Sequence, residues 1–201
     1  MDSAGDSPWY ARATIPHILI AEDEGRRALI VDGAVQSVAP EDGHRGSGYW
    51  AAMIPNVRPK RALILGLGAG TVAHLLTQRF GAVPIVAIDD DPETVAIARG
   101  EFDLNLDNVE IVIADAFDYV DSCEARFDLI LVDLYHGARP AGGMVSRPFL
   151  SGLRRILQRR GQVVFNLYGA YLNEERLGRL RAAFRSVEIV SAASNRIVFC
   201  R

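Results

Sequence analysis

Four positions in this sequence have the residue types and spacing that nucleotide chemistry requires. A glycine-rich segment, Gly66-Leu67-Gly68-Ala69-Gly70, follows a short apolar run, and Asp89, Asp115 and Asp133 each follow a later apolar run. Short apolar runs that alternate with segments of helical periodicity predict parallel strands joined by helices. Because open parallel sheets bind ligands beyond the carboxyl ends of their strands, we expect these four positions to meet at one edge.

The glycine segment is typical of a loop that lets a ligand approach the backbone at a helix N-terminus. A tight strand-to-helix turn that binds nothing is the alternative interpretation. A dinucleotide-binding loop needs its third glycine at position 71, where this sequence has Thr71. We therefore predict a nucleoside site in which Gly66, Gly68 and Gly70 lie against the ligand and no pyrophosphate is bound.

The three aspartates suit different parts of such a site. Asp89 follows the glycine segment at the separation expected of an acid that accepts hydrogen bonds from ribose hydroxyls. Asp115 is placed to accept a hydrogen bond from an adenine amino group or, alternatively, from its own loop backbone. Asp133 emerges from a very apolar run, where burial can raise its pKa. It is the best candidate for a general base, with the bonding of loop amides as the alternative.

The elements that must position these residues divide the chain in two. The pattern of residues 17–38 predicts short strands separated by turns, and Asp32-Gly33 between two apolar runs predicts a hairpin. A flexible connector over 39–48 and a short helix from Tyr49 follow. Beyond this helix, strands and helices alternate, and the last two strands are close enough to pair antiparallel. We expect an N-terminal β-hairpin extension and connector over 1–48 and a Rossmann-like nucleoside-binding domain over 49–201.

Composition narrows the class of protein. With 201 residues and a formal net charge of −3, the chain offers no electrostatic case for binding nucleic acid. No apolar run reaches the roughly 20 residues of a membrane helix, and the N-terminus predicts no signal peptide. The histidines and the two cysteines have no metal-ligand spacing, and free thiols are expected. We predict a cytoplasmic protein without metal, nucleic acid or membrane partners, and a homodimer formed through unpaired hairpin edges.

The motifs together resemble the spermidine synthase-like (polyamine aminopropyltransferase) family, a branch of the class I S-adenosylmethionine-dependent methyltransferase fold. The resemblance covers roughly residues 17–168. It rests on Ala62-Leu-Ile-Leu-Gly-Leu-Gly-Ala-Gly70, Ala87-Ile-Asp-Asp-Asp-Pro92, Ala114-Asp-Ala116, Phe127-Asp-Leu-Ile-Leu-Val-Asp133, Asp133-Leu-Tyr-His-Gly137 and the hairpin Asp32-Gly-Ala-Val-Gln36. It implies an α/β, Rossmann-like fold with a mostly parallel seven-stranded sheet, an antiparallel C-terminal strand and a small N-terminal β-hairpin segment.

The resemblance also implies a reaction and a set of site residues. An aminopropyl group would pass from decarboxylated S-adenosylmethionine to a small amine, with release of methylthioadenosine. Asp133 would be the catalytic base and Tyr49 would position the amine. The residues that bind S-adenosylmethionine or its decarboxylated form would be Gly66, Gly68, Gly70, Asp89, Asp115 and Ala116. Tyr135, His136 and Gln36 would bind the acceptor.

Two acids of the family are replaced in this sequence. Ala69 stands where an aspartate holds the amino group of the donor, and His136 stands where a second acid binds the acceptor amine. A neutral histidine does not substitute for a carboxylate beside a cationic amine, and a protonated one repels it. Three functions therefore stay open: aminopropyl transfer with a changed donor or acceptor, methyl transfer from intact S-adenosylmethionine, and non-catalytic nucleoside binding. Many methyltransferases carry an acid two residues before the first glycine, where this chain has Ile64.

Overall fold

The computed structural model describes residues 10–15, 18–23, 26–39 and 48–201. Most of the predicted connector therefore lies outside the described residues. The strands are β1 (Tyr10–Ile15), β2 (Ile18–Asp23), β3 (Arg26–Val31), β4 (Ala34–Val38), β5 (Ala62–Leu65), β6 (Ile85–Asp89), β7 (Val109–Ile113), β8 (Phe127–Val132), β9 (Tyr135–His136), β10 (Arg139–Pro140), β11 (Leu157–Tyr168), β12 (Val187–Ala192) and β13 (Asn195–Cys200). The helices are α1 (Gly48–Met53), α2 (Thr71–Phe80), α3 (Pro92–Glu101), α4 (Ala116–Ser122), α5 (Arg147–Ile156) and α6 (Glu174–Ala183).

The N-terminal segment is a four-stranded antiparallel sheet in the order β1-β2-β3-β4, so it is larger than the predicted hairpin. The hairpin signal itself is confirmed, because β3 and β4 are joined at Asp32 and Gly33, whose φ angles are +49° and +77°. Both residues of this turn type need positive φ, which Asp-Gly tolerates. Strand β1 was not expected, since its sequence YARATI shows little apolar alternation.

The central sheet has seven strands in the order β12-β13-β11-β8-β5-β6-β7. Strand β13 runs antiparallel to both of its neighbours, and the remaining pairs are parallel. The chain winds outward from β5 to β7 and then returns to β8 on the other side of β5. This reversal of strand order lies between β5 and β8, where open α/β sheets form their ligand crevice. The predicted fold class is confirmed.

Apolar residues cover both faces of this sheet. One buried cluster joins a face of the sheet to α1, α2, α3 and the N-terminal sheet, and a second joins the opposite face to α4, α5 and α6. Helices α3, α4, α5 and α6 begin at side chains that accept hydrogen bonds from their first turns. Asp91 accepts one from the Glu93 amide at 2.9 Å, and Asn173 accepts one from the Arg176 amide at 2.9 Å. Within the described ranges, no helix is both long and apolar enough to cross a membrane.

Candidate active site

Strand register places three of the predicted site residues side by side. Leu65 at the end of β5 pairs with Ile88 of β6 on one side and with Val132 of β8 on the other. The residues that follow these three are Gly66, Asp89 and Asp133, so the carboxyl ends of three neighbouring strands present them at one level. The Gly66 amide donates to the Ile88 carbonyl at 2.9 Å, and the Asp133 amide donates to the Leu65 carbonyl at 2.8 Å. The expected convergence at one edge is therefore observed for these three of the four predicted positions.

A cavity of about 430 Å³ opens at this edge. It lies between the central sheet, the turn of β3 and β4, and the loop that contains β9 and β10. Among the residues singled out from the sequence, those that line it are Gly66, Gly68, Asp89, Asp133, Tyr135, His136 and Gln36. Its volume falls in the range of pockets that bind small molecules.

The glycines of the loop are required by close approaches of other groups. Gly66, Gly68 and Gly70 have φ angles of +89°, +53° and +87°, which residues with a Cβ rarely adopt. The Asp133 main chain lies against Gly66, and the Ser37 hydroxyl lies against Gly68. Gly70 instead packs against the Leu104 side chain and is not among the cavity-lining residues. The first two glycines therefore shape the cavity, and the third allows α2 to begin against the core.

Asp89 fastens the glycine loop to β6. Its Oδ2 accepts hydrogen bonds from the Leu67 amide at 3.0 Å and the Gly68 amide at 2.9 Å, and its Oδ1 accepts one from the Asp91 amide at 3.2 Å. Burial raises the pKa of Asp89, and these amides lower it. The carboxylate thus holds the loop while it also lines the cavity, and its contact with a ribose stays a prediction.

Asp133 is the most perturbed carboxylate of the cavity. Burial raises its pKa from 3.8 to about 6, although hydrogen bonds from Asn166 and Tyr49 lower it. The Asn166 Nδ2 donates to Asp133 Oδ1 at 2.7 Å. At neutral pH the carboxylate is mostly ionised and basic enough to accept a proton, which is the condition for a general base.

Helix α1 brings Tyr49 to this carboxylate. Burial, followed by the negative charge of Asp133, raises the pKa of Tyr49 well above its usual value. The phenol therefore stays protonated and can donate a hydrogen bond. The neighbouring ring of Trp50, whose centre lies 4.4 Å from that of Tyr49, lines the cavity. The two aromatic side chains of α1 thus form one side of the environment of Asp133.

Asn166 is a functional candidate that was missed. It lies in β11 with 1% of its surface exposed, and it links Asp133 to Asn195, whose Nδ2 donates to Asn166 Oδ1 at 2.7 Å. A signal was available, because Asn166 interrupts the apolar run Val163-Val-Phe-Asn-Leu167. A polar side chain in a buried strand requires hydrogen-bond partners.

The loop after Asp133 contains the predicted acceptor-binding residues. The Tyr135 hydroxyl accepts a hydrogen bond from the Tyr168 amide at 2.8 Å and donates one to the Asn166 carbonyl at 3.3 Å, so it anchors the loop to β11. Burial and the charge of Asp133 raise the pKa of Tyr135. His136 is exposed and lines the cavity. The Gln36 side-chain amide donates to the Gly137 carbonyl, which ties the N-terminal sheet to this loop.

Asp115 and Ala116 border a second, smaller cavity of about 60 Å³ that shares Gly66, Asp89 and Tyr135 with the first. Asp115 Oδ1 accepts hydrogen bonds from the amides of Phe117 at 2.7 Å and Asp118 at 3.0 Å. Asp115 therefore begins α4, in agreement with the alternative interpretation of this residue. Both hydrogen bonds end on the same oxygen of the Asp115 carboxylate. Contact between Asp115 and an adenine stays a prediction.

Two further side chains join the N-terminal sheet to the glycine loop. The Thr71 hydroxyl donates to the Val38 carbonyl at 2.8 Å and accepts from the Val38 amide at 3.0 Å. The buried Ser37 hydroxyl accepts from the Ala69 amide at 2.8 Å. Thr71 therefore has a structural role of its own, because its hydroxyl joins the start of α2 to β4. The Ala69 side chain belongs to the buried cluster and is not among the residues that line the cavity.

Tyr168 and Tyr171, which follow the buried part of β11, are not among the residues that line the main cavity. The Tyr168 amide donates to the Tyr135 hydroxyl, and the ring of Tyr171 packs 4.0 Å from the guanidinium of Arg176. The two cysteines are buried free thiols, as expected. In the ranges that the structure describes, no group of acids, histidines and cysteines could hold a metal ion.

The main cavity is strongly acidic. Five carboxylates line it, those of Asp32, Asp89, Asp90, Asp91 and Asp133. His136 also lines the cavity. No lysine or arginine appears among its described lining residues. Such a concentration of one sign of charge in a concave site attracts ligands of the opposite sign. The cavity is therefore suited to a cationic ligand.

Comparisons with known proteins agree with this architecture. The family described as "Methyltransferase domain" matches residues 62–161. The polyamine aminopropyltransferase of Chromobacterium violaceum is 34% identical over 113 residues, which are 55% of this chain and 43% of the relative. That of Neisseria meningitidis serogroup A is 30% identical over 186 residues, which are 87% of this chain and 70% of the relative. The chain therefore spans less than half of the first relative's length and more than two thirds of the second's.

A solved structure shows the same fold. The crystal structure of a probable spermidine synthase from Corynebacterium glutamicum superposes with a TM-score of 0.78 at 19% identity, and the superposition covers 91% of this chain and 76% of the synthase chain. The sheet order and the cavity at its carboxyl edge define an α/β protein with the class I methyltransferase fold. Within that class, the chain belongs to the spermidine synthase-like, or polyamine aminopropyltransferase, family.

Proposed function

We propose that this protein transfers an aminopropyl group from decarboxylated S-adenosylmethionine to a small amine. The observation that carries the proposal is the position of Asp133, a carboxylate with a pKa of about 6 at the edge of an acidic cavity. An amine must lose a proton before it can attack, so the reaction needs a base of this kind. Membership of the polyamine aminopropyltransferase family supports the same reaction.

The nucleoside part of the donor would lie along the glycine loop. Gly66 and Gly68 leave its backbone accessible, and Asp89 lies between the main and the smaller cavity, where ribose hydroxyls could donate to it. Asp115 and Ala116 would then border the adenine in the smaller cavity. Gly70 supports the loop from the core side. These roles use the two cavities as one continuous site, because both share Gly66 and Asp89.

Charge favours the decarboxylated donor over the intact one. Decarboxylated S-adenosylmethionine carries a sulfonium and an ammonium group and has no carboxylate. The five carboxylates of the cavity attract both cations, whereas the carboxylate of intact S-adenosylmethionine finds no lysine or arginine among the described lining residues. This charge balance supports aminopropyl transfer even though Ala69 offers no acid to the donor.

The proposed chemical step is a displacement at carbon. Asp133 accepts a proton from the acceptor ammonium, while Tyr49 donates a hydrogen bond to the Asp133 carboxylate. Tyr135, His136 and Gln36 line the cavity and would contact the acceptor. The freed nitrogen lone pair forms a carbon–nitrogen bond to the aminopropyl carbon. The carbon–sulfur bond breaks at the same time, and its electron pair neutralises the sulfonium. The products are methylthioadenosine, the aminopropylated amine and a protonated Asp133. The cavity contributes by holding nitrogen, carbon and sulfur in line.

Methyl transfer from intact S-adenosylmethionine is the second candidate. It is favoured by the match of residues 62–161 to the methyltransferase-domain family and by the replacement of the family's acids by Ala69 and His136. A cavity of the same shape could serve either donor, since both share the adenosine and the sulfonium. A nucleoside-binding protein without turnover is the third outcome that the test below distinguishes.

Calorimetric titration tests the donor directly. The protein would be titrated with decarboxylated S-adenosylmethionine, intact S-adenosylmethionine and methylthioadenosine at pH 7.5. We expect the decarboxylated donor to bind at least tenfold more tightly than the intact one, which corresponds to about 1.4 kcal/mol. Tighter binding of the intact donor would favour methyl transfer, and no binding of any of the three would contradict a nucleoside site.

We further propose that the chain acts in the cytoplasm as a homodimer and divides near residue 48 into the N-terminal extension and the nucleoside-binding domain. Strand β4 is bonded to the glycine loop through Thr71, so β1, the outer strand of the N-terminal sheet within the described residues, is the edge that could pair with a second copy. Analytical ultracentrifugation at micromolar concentration measures this, and a purely monomeric protein would contradict dimerisation.

A further inference from the structure

We propose that Asn195 and Asn166 form a two-amide relay that positions the Asp133 carboxylate for proton transfer. The Asn195 Nδ2 donates to Asn166 Oδ1 at 2.7 Å, and the Asn166 Nδ2 donates to Asp133 Oδ1 at 2.7 Å. The proposal rests on the proposed function, since it assumes that Asp133 is the base. Asn166 and Asn195 are positioning residues, because they would act on the reacting atoms only through Asp133.

The relay crosses the sheet from a surface hairpin to the cavity. Asn195 begins β13 directly after the turn that joins it to β12, and it pairs with Tyr168 of β11. Asn166 lies two residues before Tyr168 in β11, beside the end of β8. Asn195 and Asn166 thus lie on the neighbouring strands β13 and β11, and Asp133 directly follows the next strand, β8. Strand pairing fixes the distances between their backbones, so the amides need little rearrangement to stay in contact.

Asp133 and Asn195 together hold the Asn166 amide in one orientation. An isolated asparagine amide can present either its NH₂ group or its carbonyl oxygen, because the two ends have nearly the same shape. The ionised carboxylate of Asp133 can only accept, so it requires the NH₂ group of Asn166. The oxygen of Asn166 is then left toward β13, where the NH₂ group of Asn195 donates to it and keeps it from being buried without a partner. With the opposite orientation, two oxygens would face each other in a buried site, which is unfavourable for an ionised carboxylate.

The relay has a consequence for the carboxylate itself. Asp133 Oδ1 accepts a hydrogen bond from Asn166, and Tyr49 bonds to the same carboxylate. A carboxylate has further acceptor positions on its two oxygens, so it can still accept the proton of an amine. A hydrogen bond donated to a carboxylate stabilises the ionised form and keeps the pKa from rising further. Asn166 and Tyr49 both act in this direction against the effect of burial. The relay therefore keeps Asp133 ionised near neutral pH.

Other ionisable groups near Asp133 must be considered in any titration. Tyr49 on α1 and Tyr135 on β9 face it most closely, and both stay protonated at neutral pH because burial and the charge of Asp133 raise their pKa values. The remaining ionisable residues of the same cavity are Asp32, Asp89, Asp90, Asp91 and His136. None of these changes when Asn166 or Asn195 is replaced, so a difference between variants reports on the relay.

The variants Asn166→Ala and Asn195→Ala test the relay, with Asn108→Ala as a matched control. Asn108 is also a half-buried asparagine whose side chain makes two hydrogen bonds, to the Val83 carbonyl and the Thr77 hydroxyl, but it precedes β7 at the opposite edge of the sheet. If Asn166→Ala fails to fold, Asn195→Ala still tests the proposal, because Asn195 lies beside a surface turn. The pH midpoint of the Asp133 carboxyl carbon would be measured by carbon-13 NMR, with Asp133→Asn used to assign its signal.

We expect the Asp133 midpoint to rise by about one pH unit in Asn166→Ala, by a smaller amount in Asn195→Ala, and not at all in Asn108→Ala. In an active protein, Asn166→Ala should then lower kcat about fivefold at pH 6 and hardly at all at pH 8.5, as a one-unit rise from about 6 requires. A midpoint unchanged in both relay variants would overturn the proposal. The titration needs no substrate, so its outcome is separate from whether the protein transfers aminopropyl groups.

Discussion

The main chain of Asp133 lies directly against the Cα atom of Gly66. A Cβ added to Gly66 would stand 2.8 Å from the Asp133 carbonyl carbon and even closer to its oxygen, and the φ angle of Gly66 is +89°. The first glycine of the loop and the candidate base are therefore one packed unit. Their contact explains why glycine is needed here even in the absence of a ligand.

Gly66→Ala should accordingly disturb both stability and turnover. Positive φ and the clash with the Asp133 backbone together should cost about 2–4 kcal/mol of unfolding free energy, and turnover should fall at least tenfold. Urea unfolding and a turnover assay measure the two effects. Gly178→Ala is the control, since Gly178 lies within α6 with nothing within 4 Å of an added Cβ. That control should be neutral or stabilising by up to about 1 kcal/mol, and equal behaviour of the two variants would contradict the account.

Asp89→Ala should remove donor binding. The Asp89 carboxylate holds the amides of Leu67, Gly68 and Asp91, so its loss frees the glycine loop in addition to any ribose contact. We expect the donor Kd to rise more than a hundredfold in calorimetric titration, the equivalent of about 3 kcal/mol. Asp107→Ala, at an exposed turn, is the control. Donor affinity that survives Asp89→Ala within threefold would show that the ligand does not use this loop.

Asp133→Asn should stop turnover and stabilise the fold at alkaline pH. The pKa of Asp133 is higher in the folded protein, about 6, than its ordinary value of 3.8, so the folded state binds this proton more tightly. The favourable contribution is complete below pH 3.8 and is lost as the pH rises through about 6. Removing the charge should therefore raise the unfolding free energy by up to about 3 kcal/mol at pH 8 and leave it nearly unchanged at pH 3.5.

Urea unfolding of Asp133→Asn and wild type at both pH values measures this difference, with Asp107→Asn as an exposed control. A stabilisation of the same size at both pH values would show that the burial of charge is not its cause. Donor binding should be preserved in Asp133→Asn, because the proposed function assigns Asp133 to the acceptor rather than to the nucleoside of the donor. Turnover that persists in this variant would exclude Asp133 as the base.

Thr71→Val should weaken the joint between the N-terminal sheet and the glycine loop. The hydroxyl of Thr71 is bonded to both the amide and the carbonyl of Val38, and valine has the same shape without those bonds. We expect a loss of about 1–3 kcal/mol in unfolding free energy and weaker donor binding. Thr77→Val, at the other end of α2, removes one hydrogen bond from Asn108 and should leave donor affinity unchanged. Equal donor affinity in both variants would show that the joint does not shape the site.

Local sequence signals were sufficient for most of the central domain. The apolar runs before Gly66, Asp89 and Asp133 predicted three strand ends, and Asp32-Gly33 predicted the turn between β3 and β4. These features depend on residues within a few positions of one another. The placement of Gly66, Asp89 and Asp133 at one edge followed from the rule for parallel sheets, and strand register agrees with it.

Local signals of this kind could not predict contacts between residues that are far apart in the sequence. The bond from Gln36 to Gly137 joins positions 101 residues apart, and the relay pairs Asn195 with Asn166 across 29 residues. Strand β1 was missed because its short, mixed sequence takes its stability from pairing with β2. Side-chain bonds that hold Asp89 to the loop amides were likewise hidden, since the sequence shows an acid but not its partners.

The central claim is that this chain transfers aminopropyl groups, and a turnover assay tests it most directly. The protein would be incubated at pH 8 with a panel of small diamines and either decarboxylated or intact S-adenosylmethionine, with Asp133→Asn alongside, and the products measured by mass spectrometry. The account predicts methylthioadenosine and an aminopropylated amine in equal amounts, from the decarboxylated donor and the wild-type protein only. Formation of S-adenosylhomocysteine from the intact donor, with no methylthioadenosine from the decarboxylated one, would contradict it.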